Sequence, residues 1–235
     1  MTGTIINILT VLIGSLLGLL FGTRLSERVR EAVLSVLGLF TLALGMQMFL
    51  KTNNALIVLV ALVIGVLLGE WWHIEERLEK LGQKLQGSFS RSLHSQDLTR
   101  FVEGFVAASI LFCVGPMTIL GSLQDGLTGD YSLLGTKAVM DGFASIALAA
   151  SLGIGVAFSS LVILVYQGGL SLLAFQVQNL VTPAMVSEMS AAGGVILIGI
   201  AISSLLRIRK IRSANFLPAL FLAPLFMALL ALFIT

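Results

Sequence analysis

The chain has 235 residues, of which 57% are hydrophobic and 11% are charged. Soluble domains carry about 25% charged residues, so this composition excludes a soluble globular protein and indicates one whose solvent is lipid. The net charge of +2 is too small to indicate nucleic-acid binding. The single cysteine, Cys113, excludes an internal disulfide and a cysteine metal cluster.

Apolar segments long enough to cross a bilayer recur along the chain. A spanning helix needs about 20 apolar residues. The sequence therefore predicts an all-α polytopic membrane protein, a single transmembrane domain over residues 1–235 with eight spans. The sixth span is the least defined, because Gly168-Gly169 would end it early and leave a half-helix before Pro183. The predicted spans are 4–22, 32–50, 54–72, 104–123, 132–151, 154–175, 189–206 and 214–234.

Basic residues are concentrated in alternate loops. All 14 lysines and arginines except Lys51 and Lys137 follow the first, third and seventh predicted spans. With eight spans these loops lie on one side of the membrane, and the positive-inside rule makes that side cytoplasmic. Both termini are therefore predicted to be extracytoplasmic.

The longest polar segment is 73–100. Within it, Ile74, Leu78, Leu81 and Leu85 recur at helical spacing with charges between them. This pattern predicts an amphipathic helix that lies on the cytoplasmic surface or packs on the helix bundle, followed by a serine-rich linker. The helix is either a connector or a docking site for a cytoplasmic partner.

The hairpin of predicted spans four and five carries the least usual residues. Gly115-Pro116 interrupts the fourth span, and proline in a helix removes a hydrogen bond and frees carbonyl groups. A broken helix is therefore predicted near 115–116. Lys137 and Asp141 lie four residues apart in the fifth span, on one helical face and roughly 6 Å apart along the axis.

Two interpretations of Lys137 and Asp141 remain open. They can form a structural salt bridge, or they can be a site that binds an ion, a proton or a charged solute. Other polar residues fall in the outer halves of their spans or just beyond, which suggests a polar vestibule. The candidate binding residues are Asp141, Lys137, Gly115, Pro116, Thr118, Gln47 and Asn7, with Gln124, Asp125 and Asp130 at an outer entrance.

Small residues and an internal repeat suggest how the helices pack. Glycines recur every four residues at Gly14, Gly18 and Gly22 and at Gly65 and Gly69, a spacing that allows close helix approach and is compatible with a homo-oligomer. Residues 9–18 align with 60–69, which suggests duplicated helix pairs. Transporter folds often contain such repeats.

Signals of enzymatic chemistry are missing. The sequence has no Gly-x4-Gly-Lys phosphate loop, and His73 and His94 are isolated. Asp141 has no second deep aspartate with which to form a protease dyad. We therefore expect neither an enzyme, nor a cofactor, nor a metal site.

Specific motifs connect the chain to a known family. Residues 113–130, Cys-Val-Gly-Pro-Met-Thr-Ile-Leu-Gly-Ser-Leu-Gln-Asp-Gly-Leu-Thr-Gly-Asp, resemble the signature of the bacterial YdfK/YqgA family, domain of unknown function 554. So do residues 152–156, 166–168, 192–194 and 210–220. The resemblance implies a multi-pass protein of the bacterial inner (plasma) membrane. It implies no catalytic or binding residue.

Two classes of function follow from these patterns. The first is a secondary transporter or channel for a small solute or monovalent ion, with a site near the midplane of the 104–151 hairpin. The alternative is a structural or regulatory membrane protein without transport activity, in which the Lys137–Asp141 pair only holds helices together.

Overall fold

The computed structural model describes residues 1–22, 26–78, 80, 84, 95–113, 115–178 and 182–234, and every regular element in these ranges is helical. The predicted all-α class is confirmed. The helices are α1 (Thr2–Gly22), α2 (Glu27–Phe49), α3 (Ala55–Trp71), α4 (Ser95–Cys113), α5 (Pro116–Thr128), α6 (Ser132–Leu152), α7 (Gly155–Leu172), α8 (Ala174–Val177), α9 (Pro183–Ile200) and α10 (Ala219–Ile234), with a π-helical turn at Ala201–Leu205 and a 3-10 turn at Ser213–Phe216.

Most of these helices are long and apolar enough to cross a membrane. Six helical segments in the described residues meet that criterion, and α4 and α5 together make a seventh with a 61° bend between them. The apolar helix α3 has 17 residues, the short end of the range that spans a bilayer. The predicted count of eight is reached only if α3 is included.

Local sequence signals set several helix ends. Asn54 caps α3 by accepting a hydrogen bond from the Leu56 N–H at 3.1 Å. The hydroxyl of Thr182 accepts from the Met185 N–H at 3.3 Å, and Pro183 occupies the first position of α9, where its missing N–H costs nothing. The seventh span therefore begins at 183, six residues earlier than predicted.

Two other predictions concern the middle of the chain. Gly168-Gly169 does not end the sixth span, because α7 continues through both glycines to Leu172. Residues 74–78 are helical. The remainder of the predicted amphipathic helix and linker, at 79, 81–83 and 85–94, lies outside the described residues.

The chain forms two compact units, and the first comprises Met1–Leu37 and Leu78–Asn179. Here α1 packs along α6 through its glycines. A Cβ atom at Gly14 would collide with the Gly142 carbonyl oxygen. A Cβ atom at Gly22 would lie 2.7 Å from the Ala150 carbonyl oxygen. Because these contacts advance in the same direction along both helices, α1 and α6 are parallel. The close approach predicted from the glycine spacing is confirmed.

The second unit comprises Gly38–Arg77 and Leu180–Thr235. A Cβ atom at Gly65 would lie 2.7 Å from the Ala219 backbone nitrogen, and one at Gly69 would collide with the Asn215 carbonyl oxygen. The glycine ridge of α3 therefore lies against an antiparallel neighbour, whereas that of α1 lies against a parallel one. The duplication of helix pairs stays a prediction.

Candidate functional site

Two opposite charges lie inside the first unit, on α6. The Lys137 ammonium and the Asp141 carboxylate form an ion pair one helical turn apart. The two residues are only 5% and 8% exposed. Asp141 lies near the middle of the 21-residue helix α6, as predicted. Charges at such depth are expensive unless they are paired, so each one stabilises the other.

Helices α1 and α7 add two carboxamides to the pair. The Asn7 Nδ2 donates to Asp141 Oδ2 at 3.0 Å and to Gln167 Oε1 at 3.0 Å. The Gln167 Nε2 in turn donates to the Thr4 hydroxyl at 3.2 Å. All three of these polar side chains are fully buried. A hydrogen-bonded chain therefore runs from Lys137 to Thr4 across three helices.

The charge of Asp141 determines which group donates and which accepts in each of these hydrogen bonds. An ionised carboxylate only accepts hydrogen bonds, so Asn7 must turn its NH2 group toward it. Gln167 must then present its oxygen to Asn7 and its NH2 group to Thr4. In the described part of the chain, Asn7 Oδ1 is left buried without a hydrogen-bond partner. Such an atom in a native structure calls for an explanation, for which a bound water or ion is one candidate.

The helix break lies next to the charged pair. Helix α4 ends at Cys113 and α5 begins at Pro116, which confirms the broken helix. The Thr118 hydroxyl donates to the Phe112 carbonyl at 3.1 Å and so satisfies one carbonyl that the break frees. The Lys137 ammonium lies 6.0 Å from the centre of the Phe112 ring. The end of α4 is thus beside the lysine, and a helix C-terminus favours positive charge.

Gly115 is the N-cap of α5, with φ −80° and ψ 150°. A Cβ atom there would meet nothing within 4 Å. Neither the backbone conformation nor the described contacts require glycine at this position.

Asp125 has a different place from the one predicted. It lies in the last turns of α5 and not in a loop, and it is 4% exposed. Its Oδ2 accepts from the Gly3 N–H at 3.1 Å and pairs with the Met1 ammonium at 2.9 Å. Its Oδ1 is buried without a hydrogen-bond partner among the described residues. Asp125 therefore fastens the start of α1 to the end of α5.

Gln124 and Asp130 form a separate polar group at the turn between α5 and α6. The Gln124 Nε2 donates to Asp130 Oδ2 at 2.7 Å, and the Ser132 N–H donates to Asp130 Oδ1 at 2.9 Å. The hydrogen bond from the Ser132 backbone, followed by those from the side chains of Ser132 and Gln124, lowers the pKa of Asp130 below its ordinary value. Asp130 is exposed at this end of the unit.

The remaining candidate, Gln47, belongs to the second unit. It is exposed near the end of α2. The structure thus brings Asn7, Lys137 and Asp141 into one hydrogen-bonded group, with Thr118 at the adjacent break, and does not place Gln47 in that group.

The second unit contains a buried acidic residue that lies just before the predicted seventh span, 189–206. Glu188 lies within α9 and is 0% exposed. Its carboxylate accepts from the Thr52 hydroxyl at 2.5 Å and from the N–H groups of Asn53 and Asn54 at 2.7 Å and 3.1 Å. The Thr182-Pro183 helix start could have revealed that Glu188 is helical.

These features define a multi-pass helical membrane protein with a buried ionic group in one of its units. The chain belongs to a family of proteins of unknown function, DUF554, whose model matches residues 2–228. It is 35% identical to the uncharacterized protein YqgA of Escherichia coli (strain K12) over 94% of each chain. It is 31% identical to the uncharacterized membrane protein YdfK of Bacillus subtilis (strain 168), over 95% of this chain and 94% of that one. No solved structure matches the chain significantly.

Proposed function

We propose that this protein is a secondary transporter or channel that moves a small solute or ion across the bacterial inner membrane. Asp141 is the binding group, Lys137 tunes it, and the break between α4 and α5 supplies the adjoining helix ends. In this proposal the protein is not an enzyme. Its two termini are extracytoplasmic, because the basic loops then face the cytoplasm.

The observation that carries the proposal is the buried chain formed by Lys137, Asp141, Asn7 and Gln167. A helix that only has to pack in lipid gains nothing from two charges and two carboxamides, since apolar residues of similar size serve as well or better. Ionisable groups inside spans mark substrate and ion pathways more often than simple packing sites.

The adjoining break supports the same function. Transporters commonly bind ions where a discontinuous helix leaves helix ends near the bilayer midplane. Here the end of α4 at Phe112 lies beside Lys137, and Lys137 is bonded to Asp141 near the middle of α6. At one end of the same unit, Asp130 presents an exposed carboxylate that is hydrogen-bonded to the half-buried Gln124, which suits an entrance.

One observation favours the structural alternative. The pair lies where α1 and α6 are in close contact through Gly14 and Gly142, and Asn7 of α1 is bonded directly to Asp141. A pair whose partners all come from the protein itself can serve to hold three helices in register. A comparison of single and double substitutions separates the two readings.

The experiment uses Asp141→Asn, Lys137→Met and the double variant Lys137→Met/Asp141→Leu. Lys51→Met, which removes an exposed lysine, is the matched control. Folded yield and thermal midpoint are measured on purified protein, with a thiol-reactive dye that reports unfolding when the buried Cys113 becomes accessible. Flux is measured in liposomes for the ions and metabolites that raise the midpoint of the unmodified protein, since saturating ligand at 100 times Kd stabilises by about 2.7 kcal/mol.

Each single substitution leaves one charge without its partner, so a loss of about 3–5 kcal/mol is expected. The double variant recovers stability but conducts no flux if the proposal is correct. A double variant that is stable and retains full flux would show that the pair is structural.

A further inference from the structure

We infer that the loop 206–212 and the adjoining end of α3 form a binding surface for the phosphodiester headgroups of anionic phospholipids. Neither transport nor the Asp141 site is needed for this binding. The surface belongs to the second unit alone, at the end where α3 finishes and the chain passes from α9 to α10.

The loop 206–212 carries concentrated positive charge. Four of its seven residues are basic and none is acidic. The four, all exposed, are Arg207, Arg209, Lys210 and Arg212. The Arg212 guanidinium pairs with the Glu70 carboxylate at 2.6 Å, which offsets one charge. Among the described residues, no carboxylate pairs with Arg209 or Lys210. These two side chains can therefore bind an anion from outside the chain.

Hydrogen bonds hold this loop in a defined shape. The Ile208 N–H donates to the Ile202 carbonyl at 2.9 Å, and the Ile211 N–H donates to the Ser203 hydroxyl at 3.2 Å. Both acceptors lie in the π-helical turn that follows α9. Arg209 and Lys210 thus lie at the tip of a loop whose two sides are bonded to the same turn. A preorganised loop loses little conformational entropy when a ligand binds.

Two tryptophans indicate where the loop lies relative to the bilayer. Trp71 is the last residue of α3 and is 75% exposed, and the exposed Trp72 follows it. Tryptophan is enriched at the membrane–water interface. The loop lies at the same end of the unit, because Arg212 contacts Glu70, one residue before Trp71. The basic tip is therefore at the level of lipid headgroups.

An exposed isoleucine in the loop supports this position. Ile208 is 71% exposed and directly precedes the basic tip. In water this side chain would stay uncovered, whereas at the interface lipid covers it, and removal of apolar surface from water is favourable. Amphipathic segments that lie in the interface combine apolar and basic residues in the same way.

Carboxylates at this end of the unit do not neutralise the tip. Glu70 pairs with Arg212, and Glu75 accepts a hydrogen bond from the Ala214 N–H at 3.4 Å. Glu76 is exposed in the helical segment that follows Trp72. All three lie on the α3 side of the surface, outside the loop that carries the four basic residues.

The chemistry of the surface selects an anionic lipid as its partner. Guanidinium and ammonium groups bind phosphate oxygens, and the guanidinium does so through two hydrogen bonds. The positive-inside rule assigns the loop to the cytoplasmic side, where basic residues next to a span attract anionic lipids. A soluble polyanion would neutralise the same charges but would leave Ile208 and Trp71 uncovered. Charge and apolar exposure together therefore favour a lipid.

The chain contains its own reporter of this surface, because Trp71 and Trp72 are its only tryptophans. Full-length protein is reconstituted in bilayers that mix phosphatidylglycerol with phosphatidylcholine, with bromine on the acyl chains of one lipid or of the other. Bromine quenches tryptophan fluorescence at short range, so the two preparations report which lipid lies beside the end of α3. In the unmodified protein, brominated phosphatidylglycerol is expected to quench more than brominated phosphatidylcholine at equal mole fraction.

Substitutions at the tip test the charges. Arg209→Gln and Lys210→Gln should each lower the preference for phosphatidylglycerol about fivefold, the equivalent of about 1 kcal/mol per basic residue. The double variant should bring the preference close to one. Arg28→Gln, which removes an exposed basic residue of the first unit on the same predicted side, should leave it unchanged. In about 1 M NaCl, where the Debye length is about 3 Å, the preference of the unmodified protein should fall.

Four results would overturn the inference. The first two are equal quenching by both lipids in the unmodified protein, and a preference that the double variant retains. The third is an equal loss in Arg28→Gln, which would assign the effect to the charge of the whole cytoplasmic face. The fourth is binding of soluble polyglutamate without a preference for phosphatidylglycerol, which would indicate an acidic protein partner. None of these results depends on whether the protein transports a solute, so failure here is separate from failure of the proposed function.

Discussion

Glu188 offers a sharp test of the second unit, because one carboxylate there serves three donors. It lies on α9 and accepts from the Thr52 hydroxyl and from the N–H groups of Asn53 and Asn54. These donors belong to the turn between α2 and α3. We predict that Glu188→Ala destabilises the protein much more than Glu188→Gln does.

The magnitudes follow from which donors lose a partner. Asn54 keeps a second acceptor, the Thr52 hydroxyl at 3.1 Å, whereas the Asn53 N–H and the Thr52 hydroxyl lose the carboxylate. Hydrogen bonds to a charged group contribute about 1.5–3 kcal/mol each, so two amount to roughly 3–6 kcal/mol. Water can reach the exposed Asn53, which reduces the expected net loss for Glu188→Ala to about 2–4 kcal/mol.

Glu188→Gln preserves most of this arrangement. Its remaining oxygen can accept from both backbone N–H groups, and its new NH2 group can donate to the Thr52 hydroxyl oxygen. Only the charge assistance is lost, which amounts to about 1 kcal/mol. The loss of unfolding free energy caused by Glu188→Ala should therefore be at least twice that caused by Glu188→Gln.

Thermal midpoints in detergent measure this difference, at roughly 2–4 °C per kcal/mol for a chain of this size. Hydrogen–deuterium exchange of the segment 50–58 locates the effect, since the Asn53 amide should exchange faster in Glu188→Ala. Glu76→Ala, at an exposed position in the same unit, should stay within about 0.5 kcal/mol. Equal midpoints for the Ala and Gln variants, or unchanged exchange at Asn53, would refute the argument.

Three further predictions concern packing, pH and topology. Gly18→Ala should lower the thermal midpoint by the equivalent of about 1–3 kcal/mol, because a Cβ atom there collides with a carbonyl of α6. Gly169→Ala should be neutral or stabilising, since no atom of the described residues would lie within 4 Å of a Cβ atom there. Hydrogen bonds from the start of α6 lower the pKa of Asp130, so its contribution to stability is present above the unfolded pKa of about 3.9 and is lost as the pH falls through the lower folded pKa. The difference in thermal midpoint between the unmodified protein and Asp130→Asn should therefore disappear as the pH falls through this window. A difference that persists at lower pH would contradict this role of Asp130. In intact cells, a membrane-impermeant maleimide should label Lys51→Cys and not Arg209→Cys, and the reverse pattern would invert the predicted topology.

Much of the fold follows from composition and periodicity. In a bilayer each backbone polar group must be satisfied within its own segment, so a long apolar run can only be a helix. The differences between the predicted spans and the observed helices occur at helix ends, whose positions are set by single capping residues. Thr182 and Pro183 start α9 earlier than the apolar run indicates, and α5 continues to Thr128, beyond the predicted end of its span. Capping residues are polar, so a hydropathy criterion treats them as loop.

The candidate site was predicted in part. Lys137 and Asp141 share a helix, so their spacing alone places them together. The break at Gly115-Pro116 is likewise a local signal. The sequence does not show which helices pack against α6, and so it could not predict that Gln167 and Thr4 complete the hydrogen-bonded chain.

Depth within the membrane supplies part of that missing information. Lys137 follows the start of α6 at Ser132 by five residues, Asn7 follows the start of α1 at Thr2 by five, and Gln167 precedes the end of α7 at Leu172 by five. At about 1.5 Å per residue, all three lie roughly 8 Å from these helix ends. Parallel packing of α1 with α6, and the reversal of the chain between α6 and α7 over residues 153–154, bring these ends to one side of the unit.

Polar groups at one depth in lipid have few other partners, so equal distance from the same side of a bundle predicts that they meet. Gln47 lies only two residues from the end of α2 at Phe49, roughly 3 Å by the same measure, and it is exposed. The vestibule hypothesis grouped Gln47 with Asn7 because both fall in outer halves of predicted spans. The distance from the helix end distinguishes the two residues. Asn7 lies as far from its helix end as Lys137 does and is hydrogen-bonded to Asp141, whereas Gln47 lies nearer to its helix end.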